Sequence, residues 1–326
     1  MISRRHLLLS AAAISGGALG VLDPRLSHAQ AIDQLQLFVP AAPGGGWDQT
    51  ARTVELVLKA EKLVGTVQIT NVPGAGGAVG LPQFINSWRG RPNAMMVAGM
   101  VMVGSLIANK SPVKVSQTVP VARLTGEFLV LVVPESSPIK NAQDFAAALK
   151  ADPSKVSVAG GSAGGSDHIL LGMIGKAVGV PASKLSYVAY AGGGPAQAAL
   201  LGAHVAAGIS GYGEFAEQIK AGKLRAIAIS ADKRQPGIDV PTLKEQGVDV
   251  ELFNWRGLFA PPGTSKEKRD ELVKYVEAMV KSAKWVEEAT KRDWTTILLT
   301  GDAYAKFLDE ETARIEGILK DLGLAS

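Results

Sequence analysis

Four glycine-rich segments constrain the fold of this 326-residue chain more than any other feature. Each lies where an apolar, strand-like run gives way to a helix-like pattern, and they are Pro43–Gly46, Pro73–Gly77, Gly160–Gly165 and Gly192–Gly194. A helix N-terminus carries unpaired N–H groups and about half a positive charge, and glycine lets a ligand approach the backbone closely. The segments therefore predict four anion-binding turns, two in each half of the chain.

The alternation of apolar runs and helical patterns predicts mostly parallel sheets flanked by helices. Strands are expected at 35–39, 67–72, 95–98, 127–133, 156–159, 185–190, 205–210, 224–229 and 253–260. Helices are expected between them, and three more are expected after Pro261, with no new sheet to cover, packed on the first part of the chain. Because open α/β sheets bind ligands at the carboxyl ends of their strands, we expect two lobes facing each other across a cleft.

The order of these elements also predicts how the chain is divided. Residues 30–128 and 256–326 are expected to form a discontinuous first lobe, and residues 129–255 a second lobe. The chain then crosses between the lobes near 127–134 and near 251–260, which predicts a hinge of two strands.

The N-terminus has the pattern of an export signal over residues 1–29. Arg4 and Arg5 precede an uncharged stretch from Leu7 to Leu22, and cleavage is expected after Ala29. The segment Ser3–Leu8 resembles a twin-arginine export motif, although the Sec route stays open. No later segment has the ~20 apolar residues that a spanning helix needs, so we expect a soluble, periplasmic mature protein.

Composition excludes several function classes. The chain has no cysteine, which rules out disulfides, thiolate catalysis and zinc–sulfur sites. Loss of the signal would remove three arginines and one aspartate and lower the net charge from +4 to +2. Because Lys and Arg form no run with interleaved aromatics, nucleic acid is not an expected partner. His168 and His204 lack a partner at ligand spacing, so no metal site and no cofactor are expected.

The glycine segments match no nucleotide-binding fingerprint. Gly74, Gly76 and Gly80 miss the dinucleotide spacing by one residue, no acidic residue follows at the distance of a ribose contact, and no P-loop lysine is present. We therefore expect a small carboxylate, held mainly by neutral donors.

Asp48 has two interpretations, because a carboxylate in the first helical turn competes with an anion for the same N–H groups. It either caps the helix and pairs with Arg52, four residues later, or accepts a hydrogen bond from the ligand. Trp47 beside it either forms a wall of the pocket or belongs to the core.

Ser162 lies in a G-x-S-x-G sequence, which is typical of a serine hydrolase. Such an enzyme needs a histidine, yet His168 lies six residues further along the following helix and His204 has only Asp167 as an acidic partner in the required order. Hydrolysis is therefore not favoured. His168 is expected either to cap the turn or to contact an anion.

At these same residues the chain resembles the extracytoplasmic solute-binding receptors of tripartite tricarboxylate transporters, the TctC or Bug family. The resemblance spans most of the mature chain and rests on the segments 43–52, 71–77, 187–194, 222–225 and 241–247. It implies a two-lobe periplasmic binding protein of type II-like, Venus-flytrap form, which closes on a small carboxylate and passes it to a separate membrane permease without chemistry, cofactor or metal.

The resemblance also implies a set of ligand-binding residues. The first two turns would meet one carboxylate, partly through ordered water, and the second lobe would supply further contacts; the expected site comprises Gly44, Gly45, Gly46, Trp47, Asp48, Gly74, Ala75, Gly76, Gly77, Ser162, Ala163, Ser166, His168, Tyr190, Gly192, Gly193 and Gly194. Trp47-Asp48 and the three consecutive glycines are similar to the tricarboxylate branch, which implies citrate or a related di- or tricarboxylate. The segment Gly202–Val205 stands where many relatives carry Gly-x-Val-Asp, and the missing aspartate mildly favours a more acidic ligand if that side chain faces the cleft.

Two alternatives to a transport receptor stay open at this point. A sensor that docks on a membrane signalling partner would bind the same ligand, and an enzyme would need a titratable pair that converges in the cleft. We expect the protein to be a monomer.

Overall fold

The structure is a computed structural model that describes residues 32–325. The predicted export signal and its cleavage site lie outside these residues. In the described range the helices are Gly46–Ala60 (α1), Gly80–Ser87 (α2), Met100–Ala108 (α3), Ala142–Ala151 (α4), Ser166–Ala177 (α5), Gly193–Leu201 (α6), Tyr212–Lys220 (α7), Lys266–Lys281 (α8), Ala283–Thr290 (α9) and Gly301–Asp321 (α10). None of the described helices has the length and apolar character needed to cross a membrane.

Strands alternate with these helices for most of the chain, as the sequence predicts. They are Ile32–Val39 (β1), Val64–Asn71 (β2), Ala94–Gly99 (β3), Val119–Pro134 (β4), Val158–Gly160 (β5), Tyr187–Ala189 (β6), Ala207–Gly211 (β7), Leu224–Ile229 (β8), Phe253–Ala260 (β9) and Thr295–Thr300 (β10). Short 3-10 turns at Ala75–Gly77, Val115–Gln117, Pro153–Lys155, Ala182–Lys184 and Lys244–Gln246 join several of them.

The strands form two sheets that share β4. In the first sheet β1 pairs in parallel with β2 and β3, whereas β3–β9, β9–β4 and β4–β10 are antiparallel. In the second sheet β5 pairs in parallel with β6 and β7, and β4 pairs antiparallel with β7 and β8. The parallel strands expected from the βα alternation therefore lie toward the outside of each sheet, and the antiparallel pairs surround β4.

The long strand β4 joins the two sheets. Residues up to Phe128 pair with β9, and residues from Leu129 onward pair with β7 and β8. The sequence predicted only the second half of this strand, because the first half carries Pro120, Arg123 and Thr125 among its apolar residues. The chain returns to the first sheet at β9, which begins at Phe253.

The C-terminal region contains the three expected helices and one strand that was not expected. Helix α8 packs against β4 and α1, and α10 packs against α3 and β4. Strand β10 lies between α9 and α10 and pairs with the first half of β4, so the expectation of no further strand after Pro261 is wrong. Its residues Thr295–Thr300 are mostly half-exposed and show no clear alternation, which leaves little periodic signal in the sequence.

The turn between β1 and α1 is held by the carboxylate of Asp48. This side chain is buried and accepts hydrogen bonds from the Gly44 amide (2.9 Å), from Arg52 Nε (2.7 Å) and from Asn71 Nδ2 (3.0 Å). Burial alone would raise the pKa of Asp48. Together these hydrogen bonds outweigh burial, so the pKa of Asp48 is below its ordinary value. The structure therefore favours the capping interpretation, and the predicted pair with Arg52 is confirmed.

Replacement of Asp48 by asparagine should destabilise the protein and leave its ligand preference unchanged. The change removes the charge that pairs with Arg52, and a hydrogen bond to a charged group contributes about 1.5–3 kcal/mol. We expect a lower free energy of unfolding in urea at pH 7. The difference between variant and wild type should shrink as the pH falls through the lowered pKa of Asp48, because the wild-type carboxylate then becomes protonated as well. A changed order of ligand affinities in Asp48→Asn would contradict this role.

Candidate functional site

A cavity of about 60 Å³ lies where the four glycine-rich turns meet. We call residues 43–46, 73–77, 160–165 and 192–194 the first, second, third and fourth turn. Nine of the predicted site residues line the cavity: Gly45, Gly46, Trp47, Gly74, Gly76, Ser162, Ser166, Gly192 and Gly193. The structure thus brings residues from all four turns together around one space.

The turns approach each other in two pairs. A Cβ atom placed on Gly45 of the first turn would lie 3.7 Å from the amide nitrogen of Gly193 in the fourth turn. A Cβ placed on Gly76 of the second turn would lie 3.0 Å from Cβ of Ser162 in the third turn and would overlap the Ser105 hydroxyl. Residues in the first half of the chain therefore face residues in the second half at van der Waals distance.

Within residues 32–325, four helices begin at this cavity, and each has glycine at its N-cap. Gly45 precedes α1, Gly165 precedes α5, Gly192 precedes α6 and Gly211 precedes α7, and all four glycines line the cavity. Glycine has no side chain to satisfy the first N–H groups of a helix, which have no partner inside the helix. Several backbone donors and the positive ends of helix dipoles are thus directed at one small space.

Three helices away from the cavity are capped by side chains. The side chain of Asn141 caps α4, and those of Ser265 and Ser282 cap α8 and α9. Each accepts a hydrogen bond from a backbone amide near the start of its own helix. Gly99 precedes α3 outside the lining, so four of the five glycine-capped α-helices in the described residues begin at the cavity.

Some amides of the turns are already occupied by side chains of the protein. The Gly44 amide donates to Asp48, the Gly161 amide to Asp167 Oδ2 (2.7 Å) and the Gly164 amide to His168 Nδ1 (3.1 Å). These bonds fix the shape of the first and third turns. The donors that remain for a ligand are the amides at the N-terminal ends of α1, α5, α6 and α7, which begin at Gly46, Ser166, Gly193 and Tyr212.

His168 supports the third turn and does not line the cavity. Its ring stacks on Tyr187 with centroids 4.3 Å apart, and Tyr187 Oη donates to the Gly161 carbonyl (2.7 Å). Burial lowers the pKa of His168 to about 4, so the imidazole is neutral at pH 7 and Nδ1 is available as an acceptor. The capping interpretation of His168 fits this geometry, and an anion contact does not.

The other predicted site residues also lie outside the cavity lining. Besides His168 and Asp48, these are Gly44, Ala75, Gly77, Ala163, Tyr190 and Gly194. Val205, at the position of the relatives' aspartate, is buried and is not part of the lining, so its identity carries no information about the charge of the ligand.

Sequence reasoning missed a buried ionic cluster at one end of the cavity. Arg256 of β9 contacts Glu127 of β4 and Glu214 of α7, the latter at 3.3 Å, and Asn254 Nδ2 donates to Glu127 Oε1 (3.2 Å). Glu214, Asn254, Arg256, Asp167 and Ser210 all line the cavity. The expectation of mainly neutral donors is therefore incomplete.

Burial shifts the protonation of these carboxyl groups. It raises the pKa of Glu214 to about 8 against the opposing charge of Arg256, and it raises the pKa of Glu127 as well. It also raises the pKa of Asp167 to about 6, although the hydrogen bonds from Gly161 and Ser166 lower that pKa. Near pH 7 Asp167 is mostly ionised and Glu214 mostly protonated.

One signal in the sequence points to this cluster. Arg256 interrupts the apolar strand Phe253–Ala260, and Glu127 heads the apolar run that continues to Val133. A charged residue inside a buried strand requires a partner of opposite charge. That rule pairs Arg256 with an acid, but it does not identify Glu214, which lies in a separate helix.

Among the described residues, Ser162 and His168 are not arranged as the nucleophile and base of a serine hydrolase. Ser162 lines the cavity, but the ring of His168 is engaged with Tyr187 and the third turn. No group of three His, Cys, Asp or Glu side chains suited to a metal ion occurs in the described part of the chain.

Comparison with known proteins agrees with a binding role. Residues 50–324 match the model of the tripartite tricarboxylate transporter family receptor, TctC. The chain is also 28% identical to the protein BugT of Bordetella pertussis, over 97% of each chain.

Solved structures show the same fold. The periplasmic binding protein BugD is 24% identical and superposes with a TM-score of 0.81 over 90% of this chain and 98% of BugD. MatC from Rhodopseudomonas palustris, solved with bound malate, is 23% identical, with a TM-score of 0.74 over 88% of this chain and 99% of MatC. The protein therefore has the periplasmic binding protein fold and belongs to the tripartite tricarboxylate transporter receptor family, whose members are solute-binding receptors and not enzymes.

Proposed function

We propose that this protein is the periplasmic receptor that captures a small di- or tricarboxylate and delivers it to the membrane permease of a tripartite transporter. The observation that carries this proposal is the convergence of four glycine-capped helix N-termini on one cavity. N–H groups held in a fixed array, with the helix dipoles behind them, bind a carboxylate without a paired cation.

A carboxylate also suits the side chains around these helix termini. Ser162 and Ser166 add hydroxyl groups to the lining, and Trp47, which is buried, closes one side. The malate bound to MatC supports a small organic acid as the ligand class. A cavity of about 60 Å³ favours a compact ligand.

We further propose that the ligand enters by separation of two lobes. One lobe consists of residues 30–128 and 256–326 and the other of residues 129–255, with β4 and β9 as the connecting strands. The first and fourth turns belong to different lobes and meet at the cavity, so their contact in the closed form would shield the bound acid from water.

We also propose, from the sequence, that the chain is exported before it performs this function. The N-terminal arginine pair and apolar stretch suit the twin-arginine route, which accepts folded proteins through a mild signal.

Small carboxylates should raise the melting temperature of the mature protein. A ligand that binds only the folded state at 100 times its Kd adds about 2.7 kcal/mol of stability, which corresponds to roughly 5 °C for a chain of this size. A thermal-shift panel of malate, succinate, citrate and aspartate measures this, with succinamide as the uncharged control. No shift with any of the four acids would contradict the proposal.

Replacement of Gly45 by valine should weaken ligand binding without unfolding the protein. Gly45 has φ −80° and ψ 172°, which valine adopts without strain, but its methyl groups would press against Gly192 and Gly193. We expect a Kd raised at least about tenfold, because a wedge between the turns costs about 1.4 kcal/mol or more of closure.

The matched control is Gly317→Val. Gly317 lies on the exposed face of α10, where a Cβ atom would meet no other atom within 4 Å, so the same substitution should leave the Kd unchanged. Calorimetric titration of both variants with the acid that gives the largest thermal shift makes the comparison. Equal affinities in wild type and Gly45→Val would refute closure between the first and fourth turns.

A further inference from the structure

The charges that line the cavity are not those expected for a polyanion. Arg256 is the one basic side chain in the described lining, and it is already shared by Glu127 and Glu214. Asp167 adds a third carboxyl group, whose two oxygens accept from the Gly161 amide and from Ser166 Oγ (3.0 Å). Citrate would therefore bring several negative charges to a lining whose one basic side chain, among the described residues, already contacts two carboxyl groups.

Two hydrogen-bond acceptors at this end of the cavity lack a partner. Glu214 Oε2 and Asn254 Oδ1 are buried and make no hydrogen bond of good geometry with a described residue, although the Ser210 hydroxyl lies close enough to Glu214 to lower its pKa. The side chain of Glu214 is 92% buried, since its exposed fraction is 8%, and Asn254 as a residue is 4% exposed. The other end of the Asn254 amide donates to Glu127, which fixes Oδ1 as the free acceptor. A buried acceptor without a donor costs free energy that a bound donor would recover.

The backbone is shaped to admit these acceptors to the cavity. A Cβ atom on Gly193 would overlap Glu214 Oε2 and lie 2.7 Å from the Ser210 hydroxyl, and a Cβ on Gly46 would overlap Arg256 and lie 2.7 Å from Glu214 Oε1. The glycines of the first and fourth turns thus make room for the ionic cluster as well as for the ligand.

We propose that Glu214 and Asn254 form a subsite for a protonated amine, so that the preferred ligand is a compact amino acid with at least one free carboxylate. An ammonium group offers three donors, which match Glu214 Oε2, Asn254 Oδ1 and the Ser210 hydroxyl. The carboxylate of the same ligand accepts hydrogen bonds from the helix N-termini on the opposite side of the cavity. This inference rests on the proposed receptor function and narrows its ligand class.

Paired ligands that differ only in the amine test the subsite. Calorimetric titration of the mature wild-type protein compares L-aspartate with succinate and L-glutamate with glutarate, with citrate as the polyanion. We expect the amino member of at least one pair to bind ten times or more tightly than its deamino partner. Deamino acids that bind as tightly as their amino partners in both pairs, or a citrate that binds tightest, would overturn the subsite while leaving the receptor function standing. Failure of all five acids to bind would defeat both.

The variant Glu214→Gln tests whether Glu214 causes the preference for the amino ligand. Glutamine keeps the shape of the side chain but cannot ionise beside an ammonium group, so the preference for the amino member should fall to about threefold or less, with deamino binding kept. Glu217→Gln is the control, because Glu217 lies on the same helix with its side chain 83% exposed. A preference that persists in Glu214→Gln would place the amine elsewhere.

Proton release gives a second readout. Burial raises the pKa of Glu214 to about 8, with Arg256 opposing the shift and Glu127 and Asp167 increasing it. An ammonium beside Glu214 would lower that pKa, so binding at pH 7 should release a proton and tighten as the pH rises toward 8. Titrations in two buffers of different ionisation enthalpy measure the release. Wild type should show it with aspartate and Glu214→Gln should not; equal proton release from both would contradict the proposal.

Discussion

The structure depends on main-chain N–H groups at the starts of four helices that share one cavity. Each of these helices is preceded by glycine, so the donors that a serine, threonine or asparagine cap would occupy are left unfilled. The protein gives up the stability of those caps at the cavity and keeps it at α4, α8 and α9. A ligand that restores the missing acceptors recovers that free energy on binding.

The side chains around the turns make this array rigid before any ligand arrives. Asp48 fixes the first turn, and Asp167 and His168 fix the third, each by accepting from one backbone amide. The amides they occupy would otherwise be available to an anion, yet the turns would then be free to rearrange. These side chains therefore remove a few potential donors from the ligand, but they hold the remaining donors in place. Such preorganisation lowers the entropy cost of binding.

Much of the fold and half of the residues around the cavity follow from local sequence signals. Glycine at a strand-to-helix junction is a local pattern, so Gly45, Gly76 and Gly193 could be placed at the cavity from sequence. The cluster of Glu127, Glu214 and Arg256 could not, because residues far apart in the chain meet only after β4, α7 and β9 are assembled.

Two further outcomes have other physical reasons. Asp48 and His168 were ambiguous, since a side chain next to a glycine turn can face either the turn or the cavity, and only packing decides. Strand β10 was missed because its burial is partial and its pattern has no clear period.

The most direct test is a crystal structure of the mature protein with an acid bound in the cavity. We predict that the carboxylate oxygens lie within about 3 Å of backbone amides at the N-terminal ends of α1, α5, α6 or α7. A carboxylate held by the guanidinium of Arg256 alone, with those amides bonded to water, would contradict the central role of the helix N-termini.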